Sequence, residues 1–161
     1  MTSKRAFDTP PEHRAALLGS LIDSNKDVVE SDRRLPPHLL DALHDAGLFR
    51  MLLPKPYGGE EATPAQFLAA IEAAARHDAS VAWCLCQANG CAMTAAYLAS
   101  DVANEIWGND PRAVLAWGPG KAEAVQTEDG FTVSGNLMFA SGGRHATWLG
   151  AHTPVKSANG D

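Results

Sequence analysis

The strongest constraint on the fold is a change of hydrophobic periodicity at Pro111. Before this proline, apolar residues recur at helical spacing in segments that open with proline and capping residues. After it, apolar and polar residues alternate, as they do along half-buried strands. We therefore predict an α+β protein, with an all-α helical bundle at residues 1–110 followed by a partial antiparallel β domain at residues 111–161.

Five helices are predicted in the first half. Thr9 with Glu12, and Thr63 with Gln66, have the spacing of capping boxes. The fourth segment is short of polar residues on every side, so we expect it to be the buried centre of the bundle, capped by Asp78 or Ser80. The predicted ranges are Thr9 to Glu30, Leu35 to Gly47, Thr63 to Arg76, Val81 to Leu98, and Val102 to Trp107 after a Ser100-Asp101 cap.

The second half is predicted to consist of short strands separated by glycine turns. Asp129-Gly130 is predicted as a hairpin turn and Gly135-Asn136 as a second break. The Ala140–Gly143 loop that follows has only small side chains, so a ligand could approach its backbone, and Ser141 offers one hydroxyl. On pattern alone this stretch is an ordinary β-meander with a glycine bulge. A turn signal at residues 157–161 invites another strand, so we expect an incomplete β half and a fragment of a longer protein.

Composition excludes several classes of function. The 161 residues carry a net charge of -6 without a run of Lys or Arg, which argues against a nucleic-acid partner. No apolar run approaches the roughly 20 residues that span a bilayer, and the N-terminus lacks the apolar core of a signal peptide. We therefore expect a cytoplasmic protein that does not enter a membrane. Cys84, Cys86 and Cys91 lie close together on one predicted helix, so we expect them to be buried thiols without disulfides.

The common sequence motifs of catalysis and metal binding are absent. The chain contains no GxGxxG, P-loop, HExxH or CxxC pattern, and Gly118-Pro119-Gly120 is read as a simple turn. We expect His145 and His152 to point to opposite faces of an extended segment, so no metal site is predicted. The remaining histidines are assigned to helix ends or solvent: His77 closes a helix, while His13, His38 and His44 are predicted to be exposed.

Two sequence blocks carry a family resemblance. The loop Leu53-Pro54-Lys55-Pro56-Tyr57-Gly58-Gly59 and the block Phe139-Ala140-Ser141-Gly142-Gly143-Arg144-His145-Ala146 resemble the N-terminal and middle regions of the acyl-CoA dehydrogenase superfamily. Within it, the stretch from Ser134-Gly135 through this second block to Trp148 is most similar to the flavin-dependent monooxygenase branch. The resemblance extends from about Leu35 to Val155.

The resemblance implies a flavin site. Phe139, Ala140, Ser141 and Gly142 would line the ring of FAD or FMN, with Ser141 near the N5 edge, and Trp117 and Pro119 would lie on the adjoining strand and loop. The sequence departs from the dehydrogenase pattern here, because Trp117-Gly118-Pro119 keeps only the proline of a Thr-Glu-Pro contact. The family's catalytic carboxylate belongs to a C-terminal helical bundle that this sequence does not contain, so no catalytic residue is assigned.

The function implied by the resemblance is that of an oxygenase component of a two-component monooxygenase. Such a protein would hydroxylate an aromatic or polycyclic small molecule with reduced flavin from a partner reductase, and would form a homotetramer at full length. The chain alone is expected to be inactive and to bind flavin weakly. One alternative is an acyl-CoA dehydrogenase that oxidises a CH-CH bond with FAD, and another is a non-catalytic module that acts by association.

Overall fold

A computed structural model of the protein describes residues 7–156. The turn predicted at residues 157–161 lies outside this range. The described residues form six α-helices: α1 (Pro11–Leu17), α2 (Gly19–Asp32), α3 (Pro37–Asp45), α4 (Pro64–Ala75), α5 (Ala79–Ala92) and α6 (Ser100–Ala103). Five strands follow: β1 (Leu115–Trp117), β2 (Gly120–Thr127), β3 (Gly130–Leu137), β4 (Trp148–Gly150) and β5 (Val155–Lys156).

The first predicted helix is two helices. Leu18 separates α1 from α2, and a side chain at Gly19 would lie 2.3 Å from the His77 ring, so glycine permits this close packing. The capping box predicted at Thr9 is wrong. Helix α1 begins at Pro11 after a Pro10 cap and has no side-chain cap bond. The first-turn proline has no N–H to satisfy and a φ suited to the helix, so Pro11 shifts the start beyond Thr9.

The other helix boundaries follow local sequence signals. Gly47 adopts a left-handed conformation with φ of 69° just after α3, as expected for a helix stop. Thr63 and Gln66 form the predicted capping box of α4, and Asp78 caps α5. Helix α5 is not buried on every side, because Trp83 is 55% exposed and Gly90 faces solvent. Helix α6 begins after Ala99 without a side-chain cap and continues into a π-helical turn, Asn104–Gly108.

The β half contains the predicted hairpin but is not wholly antiparallel. Strands β2 and β3 pair antiparallel, whereas β1 pairs with β4 and β2 with β5 in parallel. Thr127 is opposite Gly130, so the two turn residues are Glu128 and Asp129, one position earlier than predicted. No break occurs at Gly135, because β3 continues through it to Leu137. A side chain at Gly135 would lie 2.4 Å from the Lys121 carbonyl oxygen, so this glycine serves close strand pairing.

Two apolar clusters form the core. The larger lies among the helices and includes Ile22, Leu43 and Leu85. The second joins the halves, because Trp107 at the end of the helical segment packs in one cluster with Leu115 of β1. The domain boundary near residue 110 stays a prediction. Within the described range, no helix is both long and apolar enough to cross a bilayer.

Arg50 links the chain segments around this junction through hydrogen bonds to backbone carbonyl oxygens. Its guanidinium donates to the carbonyl oxygens of Pro111 at 2.8 Å, Trp107 at 2.9 Å and Asp110 at 2.6 Å. It also donates to the carbonyl oxygens of Tyr57 and Gly58. The side chain is buried, and it therefore fixes the Pro-Tyr-Gly-Gly loop against the segment that leads into β1.

Candidate functional site

The small-residue loop after β3 is tightly turned and partly exposed. Phe139 has a φ of 55° and Gly142 a φ of 79°, so the backbone enters the left-handed region twice within four residues. The turn is held by hydrogen bonds from the Ser141 N–H to the Phe139 carbonyl at 2.8 Å and from the Ala146 N–H to the Gly142 carbonyl at 3.0 Å. The Phe139 side chain is 82% exposed, so its ring presents a flat apolar surface to solvent.

Gly118 brings the other predicted site segment against this loop. A side chain at Gly118 would lie 2.0 Å from the Met138 carbonyl oxygen and 2.7 Å from the Ala140 nitrogen. The Pro119 carbonyl also accepts a 2.8 Å hydrogen bond from the Met138 N–H. The backbones of residues 117–119 and 138–140 are therefore neighbours.

Ser141 is tied to the helical half by a hydrogen bond to α5. The Trp83 indole Nε1–H donates to the Ser141 hydroxyl oxygen at 2.9 Å. The indole has no acceptor atom, so in this contact Ser141 uses a lone pair and keeps its own proton. No acceptor for that proton occurs among residues 7–156, which leaves the hydroxyl able to donate to a ligand.

A pocket of about 420 Å³ lies between the loop, the end of α2 and the start of α5. Its size is within the range of small-molecule sites. The lining combines apolar, hydroxyl and charged side chains, and it consists of Val29, Glu30, Arg33, Arg34, Leu35, Ser80, Cys84 and residues 140–145.

The predicted site residues divide between two surfaces. Ala140, Ser141 and Gly142 line the pocket. Trp117, Pro119 and Phe139 do not line it: Pro119 and Phe139 are exposed, and Trp117 is half-buried with His152 edge-on at 5.1 Å between ring centroids. The pocket therefore lies on one face of the loop. Phe139 and Pro119 belong to a different, exposed surface.

Sequence reasoning missed Trp83 and the arginines of the pocket. Trp83 carries no local signal for its role, because its partner Ser141 is 58 positions away. Arg33, Arg34 and Arg144 come from segments that only the tertiary fold brings together.

Two histidines beneath the loop have lowered pKa values. His44, predicted to be exposed, is half-buried with its ring centroid 4.5 Å from that of Phe49. Desolvation, helped by the positive charge of Arg112, lowers the pKa of His44 to about 4. His145 packs on the other side of Phe49 at 5.5 Å, and burial lowers its pKa as well. Both rings are therefore neutral at physiological pH.

His145 is the polar group of this region without a partner. Its Nε2 atom is buried and makes no hydrogen bond within the described residues. A side chain at Gly142 would lie 3.1 Å from this atom, so the loop closes directly over the imidazole. Among residues 7–156 no group of three potential metal ligands exists, and His152 lies apart on Trp117.

The side chains of α5 facing the core are structural. Asn89 is fully buried; its amide donates to the Leu48 carbonyl at 2.8 Å, and its oxygen accepts from the Leu52 N–H at 3.0 Å.

All three cysteines are free, as predicted, but only Cys91 is buried, whereas Cys84 and Cys86 are half-buried. Desolvation, together with the charge of Asp78, raises the pKa of Cys84 to about 11, so this pocket thiol is protonated at neutral pH.

Residues 16–107 match the family described as acyl-CoA dehydrogenase, N-terminal domain. The chain belongs to the acyl-CoA dehydrogenase family. This membership confirms the fold class predicted from the sequence and places the helical bundle, which holds Trp83 and Arg50, within the family's N-terminal domain.

Individual relatives narrow the likeness to flavin-dependent monooxygenases. The chain is 30% identical over 141 residues to the flavin-dependent monooxygenase, oxygenase subunit HsaA, of Rhodococcus jostii, covering 87% of this chain and 37% of that protein. It is 31% identical over 162 residues to indole-3-acetate monooxygenase of Pseudomonas putida, covering 97% and 40%. The crystal structure of 3-HSA hydroxylase from Rhodococcus sp. RHA1 superposes with a TM-score of 0.86 at 25% identity, covering 93% and 40%.

These matches confirm the resemblance to the monooxygenase branch. The chain spans less than half the length of each of these proteins.

Proposed function

We propose that this chain is the N-terminal portion of an oxygenase component that hydroxylates an aromatic or polycyclic small molecule with reduced flavin. The observation that carries the proposal is the Ser141 hydroxyl, which Trp83 holds at a glycine turn with its proton free. The two relatives with flavin-dependent and indole-3-acetate monooxygenase activity in their names support the same assignment.

The residues present fit a flavin ring. An isoalloxazine needs a flat, uncluttered surface and a hydrogen-bond partner at its polar edge. The exposed ring of Phe139 supplies the first, and the Ser141 hydroxyl supplies the second. Ala140 and Gly142 keep the loop free of bulk, while Trp117 and Pro119 would complete the surface from the neighbouring segment.

Reduced flavin, when bound, would supply two electrons for the activation of O₂. One oxygen atom would enter the aromatic substrate and the other would leave as water, which consumes two protons. Ser141 would orient the ring through its hydroxyl, and Phe139 would cover it from water. The imidazole of His145 lies below Gly142 and would be neutral at pH 7, because burial lowers its pKa.

The proposal includes partners for the whole protein. An oxygenase that uses free reduced flavin needs a reductase to supply it, and HsaA is itself named an oxygenase subunit. We also include a homo-oligomer, with the tetramer as the expected state, and a cytoplasmic location, which three free cysteines favour. FAD and FMN are both retained as the flavin.

An acyl-CoA dehydrogenase activity is the second candidate, because the matched family is named for that reaction. The two candidates differ in what reduces the flavin. Mixing the protein, as its gene encodes it, with oxidised flavin and a series of acyl-CoA esters without oxygen separates them. The oxygenase proposal expects no bleaching of the flavin absorbance, and rapid bleaching by an acyl-CoA would replace it with the dehydrogenase.

The 161-residue chain by itself is proposed to bind flavin weakly and to be inactive. The Phe139 surface is open in this chain, and an 82% exposed ring excludes little water. Equilibrium dialysis of the purified chain against flavin tests this point. Tight one-to-one binding would contradict it.

A further inference from the structure

The pocket beside Ser141 has a positive lining in a negatively charged protein. Arg33 and Arg34 reach it from the end of α2, and Arg144 reaches it from the loop. Glu30 is the carboxylate among the lining residues, and His145 is neutral at pH 7 because burial lowers its pKa. Three arginines and one glutamate therefore line the pocket, although the chain as a whole has a net charge of -6.

These arginines are not committed to strong ion pairs. Within residues 7–156, neither Arg33 nor Arg144 has a carboxylate within ion-pair distance. Arg34 lies 3.8 Å from Asp32, and both side chains of this pair are largely solvent-exposed. Exposed pairs at such separations contribute little, so Arg34 can exchange Asp32 for another anion.

The pocket also offers neutral donors and an apolar wall. The backbone N–H groups of Gly142 and Arg144 have no backbone acceptor within the described part of the chain. Val29 and Leu35 supply apolar surface. Guanidinium groups and N–H donors beside an apolar wall are the features that recognise a carboxylate or phosphate on a small organic molecule.

We propose that this pocket binds the anionic oxygen group of a small molecule, with Arg33 and Arg144 as its main charged contacts. The shared chemistry is that of a carboxylate or a phosphate, and a volume of about 420 Å³ holds the group together with a ring. The site does not depend on oxygenase turnover. Anion binding is measured at equilibrium, so either proposal can fail while the other stands.

Two matched ligand pairs test the site in the 161-residue chain. FMN and riboflavin share a ring and differ by a phosphate, while phenylacetate and phenylacetamide differ in the charge of one group. Calorimetric titration of each is compared at low and high salt. We expect the anionic member of at least one pair to bind about tenfold more tightly, with the advantage shrinking in salt. A preference for FMN identifies phosphate, and one for phenylacetate identifies carboxylate.

Two arginine variants test whether these side chains bind the anion. Arg33→Gln and Arg144→Gln are each expected to remove most of the preference for the anion. Arg76→Gln is the matched control, because Arg76 is exposed at the C-cap of α4 and pairs with Glu72. Arg33 and Arg144 lie on separate segments, so misfolding of one variant leaves the other informative. Equal binding within both ligand pairs, or an anion preference unchanged in both variants, would overturn the proposal.

Discussion

The Trp83 indole nitrogen lies 2.9 Å from the Ser141 hydroxyl oxygen, and this hydrogen bond joins α5 to the loop after β3. The contact fixes which lone pair of Ser141 is occupied and leaves its proton for a ligand. Trp83 therefore acts as a positioning residue for the one hydroxyl of the proposed flavin surface.

Ser141→Ala is expected to weaken flavin binding about tenfold, because one hydrogen bond to the ring is lost. Trp83→Phe keeps the apolar ring but not the donor, so a smaller loss is expected. Fluorescence titration with FMN measures both. Ser134→Ala, at an exposed position of β3, is the control and should bind like the parent. Unchanged affinity in Ser141→Ala would remove this residue from the flavin site.

Arg50→Lys is expected to destabilise the fold by about 2–3 kcal/mol, because an ammonium cannot span the carbonyl groups that the buried guanidinium joins. Urea unfolding monitored by circular dichroism measures the change. The matched substitution Arg76→Lys keeps an exposed pair with Glu72, so its effect should stay within about 0.5 kcal/mol. Equal effects of the two substitutions would mean that the carbonyl contacts of Arg50 contribute little.

Two glycine substitutions distinguish a glycine that close packing requires from one that only lowers helix propensity. Gly118→Ala places a methyl group against the Met138 carbonyl and is expected to destabilise the fold by about 1–3 kcal/mol. Gly90→Ala, in α5 with open space around it, is expected to stabilise by about 0.5–1 kcal/mol. Thermal unfolding of both variants measures the loss of stability expected for Gly118→Ala and the gain expected for Gly90→Ala. A neutral Gly118→Ala would show that residues 117–119 and 138–140 are not in the contact described above.

Acidification is expected to reduce stability through His44. Between pH 6.5 and about 4 the unfolded chain protonates this histidine, while the folded protein keeps it neutral, so stability falls as pH falls through this window. His44→Gln should flatten the dependence measured by urea unfolding at several pH values. His38→Gln, at an exposed position of the same helix, should not. An identical slope in parent and His44→Gln would contradict the burial of this ring.

The sequence predicted the features that depend on neighbouring residues. The Thr63 capping box, the stop at Gly47 and the β2–β3 hairpin each rest on signals within a few positions. The capping box predicted at Thr9 rested on the same kind of local signal but was wrong, because Pro11 occupies the first helical position.

Features that depend on distant residues could not be predicted. No single turn connects β1 with its parallel partner β4, because β2 and β3 lie between them in the chain, and the carbonyl contacts of Arg50 reach a residue 60 positions away. The order of residues around Ser141 suggested a flavin surface through the family resemblance. It could not reveal that Trp83 positions the hydroxyl or that Arg33 and Arg144 share a pocket with it.

The central claim is that the protein uses reduced flavin to insert oxygen into an aromatic molecule. The most direct measurement supplies the protein, as its gene encodes it, with chemically reduced flavin, ¹⁸O₂ and a panel of aromatic acids and phenols, and follows label in the products by mass spectrometry. We predict hydroxylated product carrying one ¹⁸O atom, formed only when protein and reduced flavin are both present. Oxidation of an acyl-CoA with no label in any product would contradict the account.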